Sequence, residues 1–120
     1  MKIQESAENY LETILVLGKK KGSLRAIDIV NELNYKKSSV SVAMKNLRER
    51  GYIFVDERGF ITLTSHGRAI AEAIYERHTI LTKWLTSIGV EEAIASEDAC
   101  RIEHVISTES FEAIKKLLQD

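Results

Sequence analysis

From Ser65 to Ile88 the residues Ala69, Ile70, Ala73, Ile74, Ile80, Leu81, Trp84, Leu85 and Ile88 recur at the spacing of one broad helical face, and Gly89 follows as a stop. A helix of that length in a 120-residue chain needs other elements to cover its apolar side. With 44% hydrophobic residues the chain can bury one core, or two small lobes that share it.

The chain contains no proline, so element boundaries are read from glycine and periodicity. Ile3, Ala7, Tyr10, Leu11, Ile14 and Leu15 predict a first helix that stops near Gly18. Glu5, Glu8, Asn9 and Glu12 form its other side, expected to be mostly a solvated acidic face. Ser23 is expected to cap a second helix with Ile27, Val30 and Leu33 inward, ending near Asn34. A third helix starts near Lys37 or Ser38, buries Val40, Met44 and Leu47, and ends at Gly51. The tight link NYKK makes the second and third helices a helix-turn-helix pair. YIFVDERGFITLT then reads as a hairpin turning at Glu57, Arg58 and Gly59. After the long helix, Ser96 is expected to cap a helix that carries CRIEHVI, with Glu97 and Asp98 in its first turn. A last helix turns Phe111, Ile114, Leu117 and Leu118 inward. The fold class is mainly α with a small β-hairpin wing: a winged helix-turn-helix over residues 1–64 and a helical domain over 65–120.

No apolar run has the length of a membrane span, and MKIQESAENY lacks the apolar middle of a secretory signal. The expectation is a soluble cytoplasmic protein with no membrane partner. The net charge of −1 alone argues against nucleic-acid binding, but its distribution does not. Lys19 to Arg58 holds ten Lys or Arg against five Asp or Glu, whereas His66 to Asp120 holds six against ten. On the third helix Ser38, Ser39, Val42, Lys45 and Asn46 are not needed for the core and suit base edges in a major groove. Lys36, Lys37, Arg48 and Arg50 flank them as candidate phosphate contacts, and Arg58 at the hairpin tip suits the backbone or a minor groove.

CRIEHVIS places Cys100, Glu103 and His104 on one face if the segment is helical. Thiolate, carboxylate and imidazole together suit a divalent first-row transition metal, since thiolate is too soft for Mg²⁺ or Ca²⁺. Glu12 and Asn9 on the first helix and His78 on the long helix are candidates to complete the coordination. A lone inward His is more often a hydrogen-bonded core residue than a ligand. A redox-sensing Cys100 is the alternative. An enzyme is not expected, because HExxH, a nucleophile elbow and a Gly-rich phosphate loop are all missing from the sequence.

The segment ENYLETI, the LTSHGR that leads into the long helix, the ERH at Glu76 to His78 and above all CRIEHVIS resemble the diphtheria-toxin-repressor family of metal-dependent transcriptional repressors. The resemblance covers essentially the whole chain and implies a winged helix that binds a palindromic double-stranded DNA operator as a homodimer, with a helical domain for metal binding and dimerisation. It implies Glu103, His104 and His78 as metal ligands in both the iron and manganese branches. Cys100 matches the iron type and leans the metal toward Fe²⁺, while Glu12 matches the manganese type and keeps Mn²⁺ in view. Asn9 stands at a position that is Asp in one branch and Met in the other. Thr82 and Ser96 stand where the ancillary site of the iron type has a carboxylate and an imidazole, and in length the chain resembles the shorter members.

Overall fold

The computed structural model describes residues 5–119. Six helices and one hairpin follow in the order α1 (Glu5–Lys21), α2 (Ala26–Leu33), α3 (Lys37–Glu49), β1 (Ile53–Val55), β2 (Ile61–Leu63), α4 (Ser65–Ser87), α5 (Glu92–Ile102) and α6 (Thr108–Gln119). They fall into two compact units, Met1–Glu72 and Ala73–Asp120, each described by itself below. Ile3, expected as the first apolar position of α1, lies outside the described residues.

In the first unit Leu11, Ile14, Leu15, Leu24, Ile29, Val40, Met44, Leu47, Tyr52, Ile53 and Ile61 form the core. Each fully buried Leu or Ile contributes roughly 1.5–3 kcal/mol. The α2–α3 link turns at Asn34, whose left-handed backbone (φ 57°) is one that Asn adopts more easily than most side chains. The wing is the antiparallel pair β1–β2, with Phe54 opposite Thr62. Its tip is ordered by Asp56, whose Oδ1 accepts from the N–H of Arg58 and of Phe60, both at 2.9 Å, while Gly59 takes φ +86°. Thr64 caps α4: its Oγ1 accepts from the N–H of Gly67 at 3.1 Å and donates to the Gly51 carbonyl at 2.7 Å.

Several boundaries differ from the sequence expectation. Gly18 stays inside α1, and the helix ends before Gly22 (φ +80°), because one glycine costs a helix only about 1 kcal/mol when its neighbours are buried. Ser23 does not cap α2. Leu24 is buried and its carbonyl accepts from the Ile61 N–H at 2.7 Å, which holds that segment extended and starts the helix at Ala26. The orphan N–H of Arg25 is satisfied by Asp28 Oδ2 at 2.9 Å. Ile29, not Ile27, is the fully buried residue of α2, and Ile27 is exposed. Glu12 is buried on α1, an exception to the mostly solvated acidic face expected there.

The second unit holds the rest of α4 with α5 and α6, and Ile74, Leu81, Ala95, Ala99 and Phe111 are buried in it. α5 begins at Glu92, so Ser96 lies in mid-helix and caps nothing. The expected inward faces are also narrower than predicted. Ala69, Ala73, Ile88 and Leu117 are exposed, and Ala71, one position from the predicted stripe, is fully buried.

Gly67 marks a close approach of backbones. A β-carbon there would fall 1.9 Å from the Tyr52 carbonyl oxygen, so α4 or the segment that leads from α3 into β1 would have to shift. Gly67→Ala is expected to destabilise the first unit by about 1–3 kcal/mol, read as a lowered denaturant midpoint with an unchanged slope. A second prediction concerns Asp28, whose carboxyl is held below its ordinary range by the Lys21 ammonium and the Arg25 N–H. A depressed value means the contribution is complete above the unfolded value of about 4 and fades as pH falls through the folded one. The stability lost in Asp28→Asn should therefore be constant at neutral pH and disappear in acid, as thermal melts across pH 2–7 would show.

Candidate metal centre and nucleic-acid interface

On α3 the buried line of Val40, Met44 and Leu47 turns the opposite side of the helix to solvent. Helical spacing puts Ser38, Val42 and Lys45 on that outward side, and all three are exposed, Val42 by 60%. Ser41, which the sequence reading does not single out, is exposed on one flank of the helix. Ser39 and Asn46 are exposed but lie to one side; Asn46 lines a shallow groove with Ser6, Ala7, Tyr10, Ala43, Leu47 and Arg50. Lys36, Lys37, Arg48, Arg50 and Arg58 are all exposed. Phe54 on the wing is 61% exposed, an apolar side chain the hairpin pattern did not single out. The unit thus presents small, polar and cationic groups along one helix beside an ordered basic turn. Such a surface can neutralise phosphates and reach base edges.

In the second unit α5 ends at Ile102, and Glu103 and His104 lie in the turn that follows. The N–H of Glu103 still bonds the Ala99 carbonyl at 2.9 Å, so Glu103 keeps a helical backbone. The common face expected for CRIEHVIS is only partly realised: Glu103 and His104 are buried, whereas Cys100 is exposed.

Glu103 is the centre of this cluster. Its side chain has no exposure to solvent, and Oε1 lies 2.8 Å from His78 Nδ1. The other ring nitrogen, Nε2, lies within hydrogen-bonding distance of Ser96 Oγ, 3.3 Å away. Residues His78 on α4 and Ser96 on α5 are thereby brought together with Glu103. Arg77, which the sequence reading passed over inside ERH, donates Nη1 to the carbonyls of Glu103 at 3.2 Å and Ile106 at 2.9 Å, and its guanidinium lies over the Phe111 ring. Its adjacency to His78 was the available signal.

The other carboxylate oxygen is different. Glu103 Oε2 is buried with no hydrogen-bond partner among the described residues. His104 Nε2 is 3.4 Å from it, near enough for an ion pair but not aligned as a hydrogen bond. A buried acceptor of this kind calls for an explanation such as a bound ion, and a carboxylate beside an imidazole is a donor set that a divalent transition metal accepts. On α1, Glu12 is a buried carboxylate, and Asn9 is partly buried with its carbonyl accepting from Thr13 Oγ1 at 2.8 Å.

Solved structures share this architecture. The T. acidophilum IdeR structure matches with a TM-score of 0.83 and 27% identity over 100% of this chain and 56% of that one. The manganese regulator SloR matches with a TM-score of 0.83 at 23% identity, over 94% of this chain and 53% of that one. A Sulfolobus solfataricus protein, SSo2273, matches at 0.72 and 22% identity, over 97% and 89%. The two below 25% identity speak for the fold alone, and the chain spans about half the length of the first two. None of this supports the Cys100 redox alternative. The model of an iron-dependent repressor N-terminal DNA-binding domain matches residues 2–59, and that of an iron-dependent repressor metal-binding and dimerisation domain matches residues 64–120. The helix-turn-helix, the wing and the CRIEHVIS turn are therefore parts of one known design, and the chain belongs to the diphtheria-toxin-repressor family of metal-dependent transcriptional repressors.

Proposed function

We propose that this chain acts as a metal-dependent transcriptional repressor in the cytoplasm, binding a palindromic DNA operator as a homodimer when it holds Fe²⁺ or Mn²⁺. The observation that carries the reading is the buried Glu103 carboxylate, which keeps one oxygen without a hydrogen bond beside a buried His104. Glu103 and His104 would hold the ion, with His78, Cys100, Glu12 and Asn9 as further donors. The bound cation supplies positive charge that compensates the carboxylates. Residues 1–64 would carry DNA binding and 65–120 metal binding and dimerisation.

The remaining steps belong to the chain. Glu12 is on the helix that precedes the helix-turn-helix, while Cys100, Glu103 and His104 are in the acidic half. Shared ligation by residues from both halves would restrict the positions the two recognition helices of a dimer can take. Heads held at the separation of half-sites bind both at once, and loosely held heads lose that gain in effective concentration. Coupling of this kind needs only a higher metal affinity in the DNA-competent state. No catalysed reaction enters. Exposed Cys100 favours Fe²⁺ over Mn²⁺ by its softness, and affinity in vitro would still follow the order of the late first-row ions.

Metal-stripped protein selected anaerobically against random duplex DNA should yield a palindrome with Fe²⁺ or Mn²⁺ and none without; equal selection in both conditions overturns the proposal. Glu103→Gln, which keeps shape and removes charge, should weaken metal binding by about tenfold or more while the protein remains folded by circular dichroism. For the interface, Lys37→Ala with Lys45→Ala should weaken operator binding, and each phosphate contact removed should lower the slope of log K against log salt by about one, measured by fluorescence anisotropy.

A further inference from the structure

We infer that Val42 reads a thymine in each half of the operator, its isopropyl group packing on the C5-methyl in the major groove. The inference rests on the DNA-binding reading above and names one base that the site selects. Among the described residues of the first unit, the two most exposed large apolar side chains are Phe54 on the wing and Val42 on α3. Val42 takes no part in the apolar core, which holds the helix through Val40, Met44 and Leu47. A β-branched residue is also a poor choice for a solvated helix surface, since it loses side-chain freedom against the preceding turn and gains nothing by burial. Lone apolar residues are common on surfaces, so exposure alone decides little. The place of Val42 along the helix decides more.

Val42 is the sixth of the thirteen residues of α3, and Ser38 one turn before it and Lys45 one turn after it stand on the same outward line. Serine is small enough to let the helix backbone come close to base edges, and an ammonium group suits a phosphate at the edge of the groove. The line ends in Glu49, an exposed carboxylate that phosphates repel. The opposite end of the helix carries Lys36 and Lys37, both exposed, together with the positive end of the helix dipole. α3 therefore approaches a duplex by its N-terminal half, the part of a recognition helix that meets base edges. At that depth an isopropyl group discriminates by what it lacks. It neither donates nor accepts, so against guanine, adenine or cytosine it would cover polar edges without replacing their bonds to water. Thymine alone offers an apolar group in the major groove, its methyl, and burying that methyl against Val42 is favourable.

Deoxyuridine is the probe, because it is thymidine without the methyl and pairs with adenine in the same way. Operators selected from random duplex DNA by the metal-loaded wild-type chain are remade with each symmetric pair of thymines replaced by deoxyuridine, and affinities are read by fluorescence anisotropy. One such pair should weaken wild-type binding by about fourfold per half-site, or about fifteenfold for both, the effect of exposing one methyl-sized group in each. Val42→Ser, which removes both methyls from an exposed position, should bind the thymine and deoxyuridine forms of that pair equally, while Val42→Ile should keep the wild-type preference. At the same pair, 5-methylcytosine should bind the wild type more tightly than cytosine. If a palindrome is selected but no thymine pair shows a loss when its methyl is removed, or if Val42→Ser shows the same loss as the wild type, the thymine contact is overturned and the DNA-binding reading stands. If the metal-loaded wild type selects no palindrome, that reading fails and the inference with it. The comparison of thymine with deoxyuridine uses the unaltered protein, so it decides the matter even if a variant fails to fold.

Discussion

Removing a carboxylate entirely from water costs several kcal/mol unless its oxygens find partners, and Glu103 is removed in this way. The structure around it is arranged to meet that cost. Arg77 satisfies the carbonyls of Glu103 and Ile106 just beyond α5, His78 pairs with one carboxylate oxygen, and Ser96 lies against the other nitrogen of the imidazole. What is left over is a single oxygen, and the site's chemistry follows from it. An apolar residue at this position would pack without any of these partners.

The DNA-facing half follows a different economy. Its core is apolar and continuous, from Leu11 on α1 through Ile29, Val40 and Leu47 to Ile61 on the wing. Because that core holds α3 by one side only, the other side is free to carry small and cationic groups. The wing tip is similarly independent of the core. Asp56 organises it by local hydrogen bonds, so Arg58 is displayed on an ordered turn and not on a loose loop.

Much of this was readable from residue patterns. The helix-turn-helix pair, the hairpin at Glu57 to Gly59, and the stop at Gly89 all rest on local rules that act over a few residues. The sequence reading erred where a distant contact overrode a local preference. Ser23 is a good capping residue, but the bond from Ile61 to the Leu24 carbonyl keeps the segment extended. Ser96 followed by two acidic residues looks like a helix start, yet α5 is already four residues old there. In α2 the predicted inward residue, Ile27, is exposed while Ile29 is buried, because an eight-residue helix has too few turns for its period to fix its rotation.

The site divides along the same line. The sequence by itself determined the candidate donor types and their order, since a thiol, a carboxylate and an imidazole within five positions are metal-binding groups by side-chain type alone. It also determined the sign of charge in each half and the periodicity that makes helices. Only the tertiary structure decided that α5 ends before Glu103, that Cys100 is exposed while its neighbours are buried, and that Arg77, His78 and Ser96 converge on one carboxylate. Those outcomes depend on contacts across 18 to 29 residues of chain. Burial and hydrogen-bond partnership at such separations are set by how whole helices pack, and no local pattern encodes them.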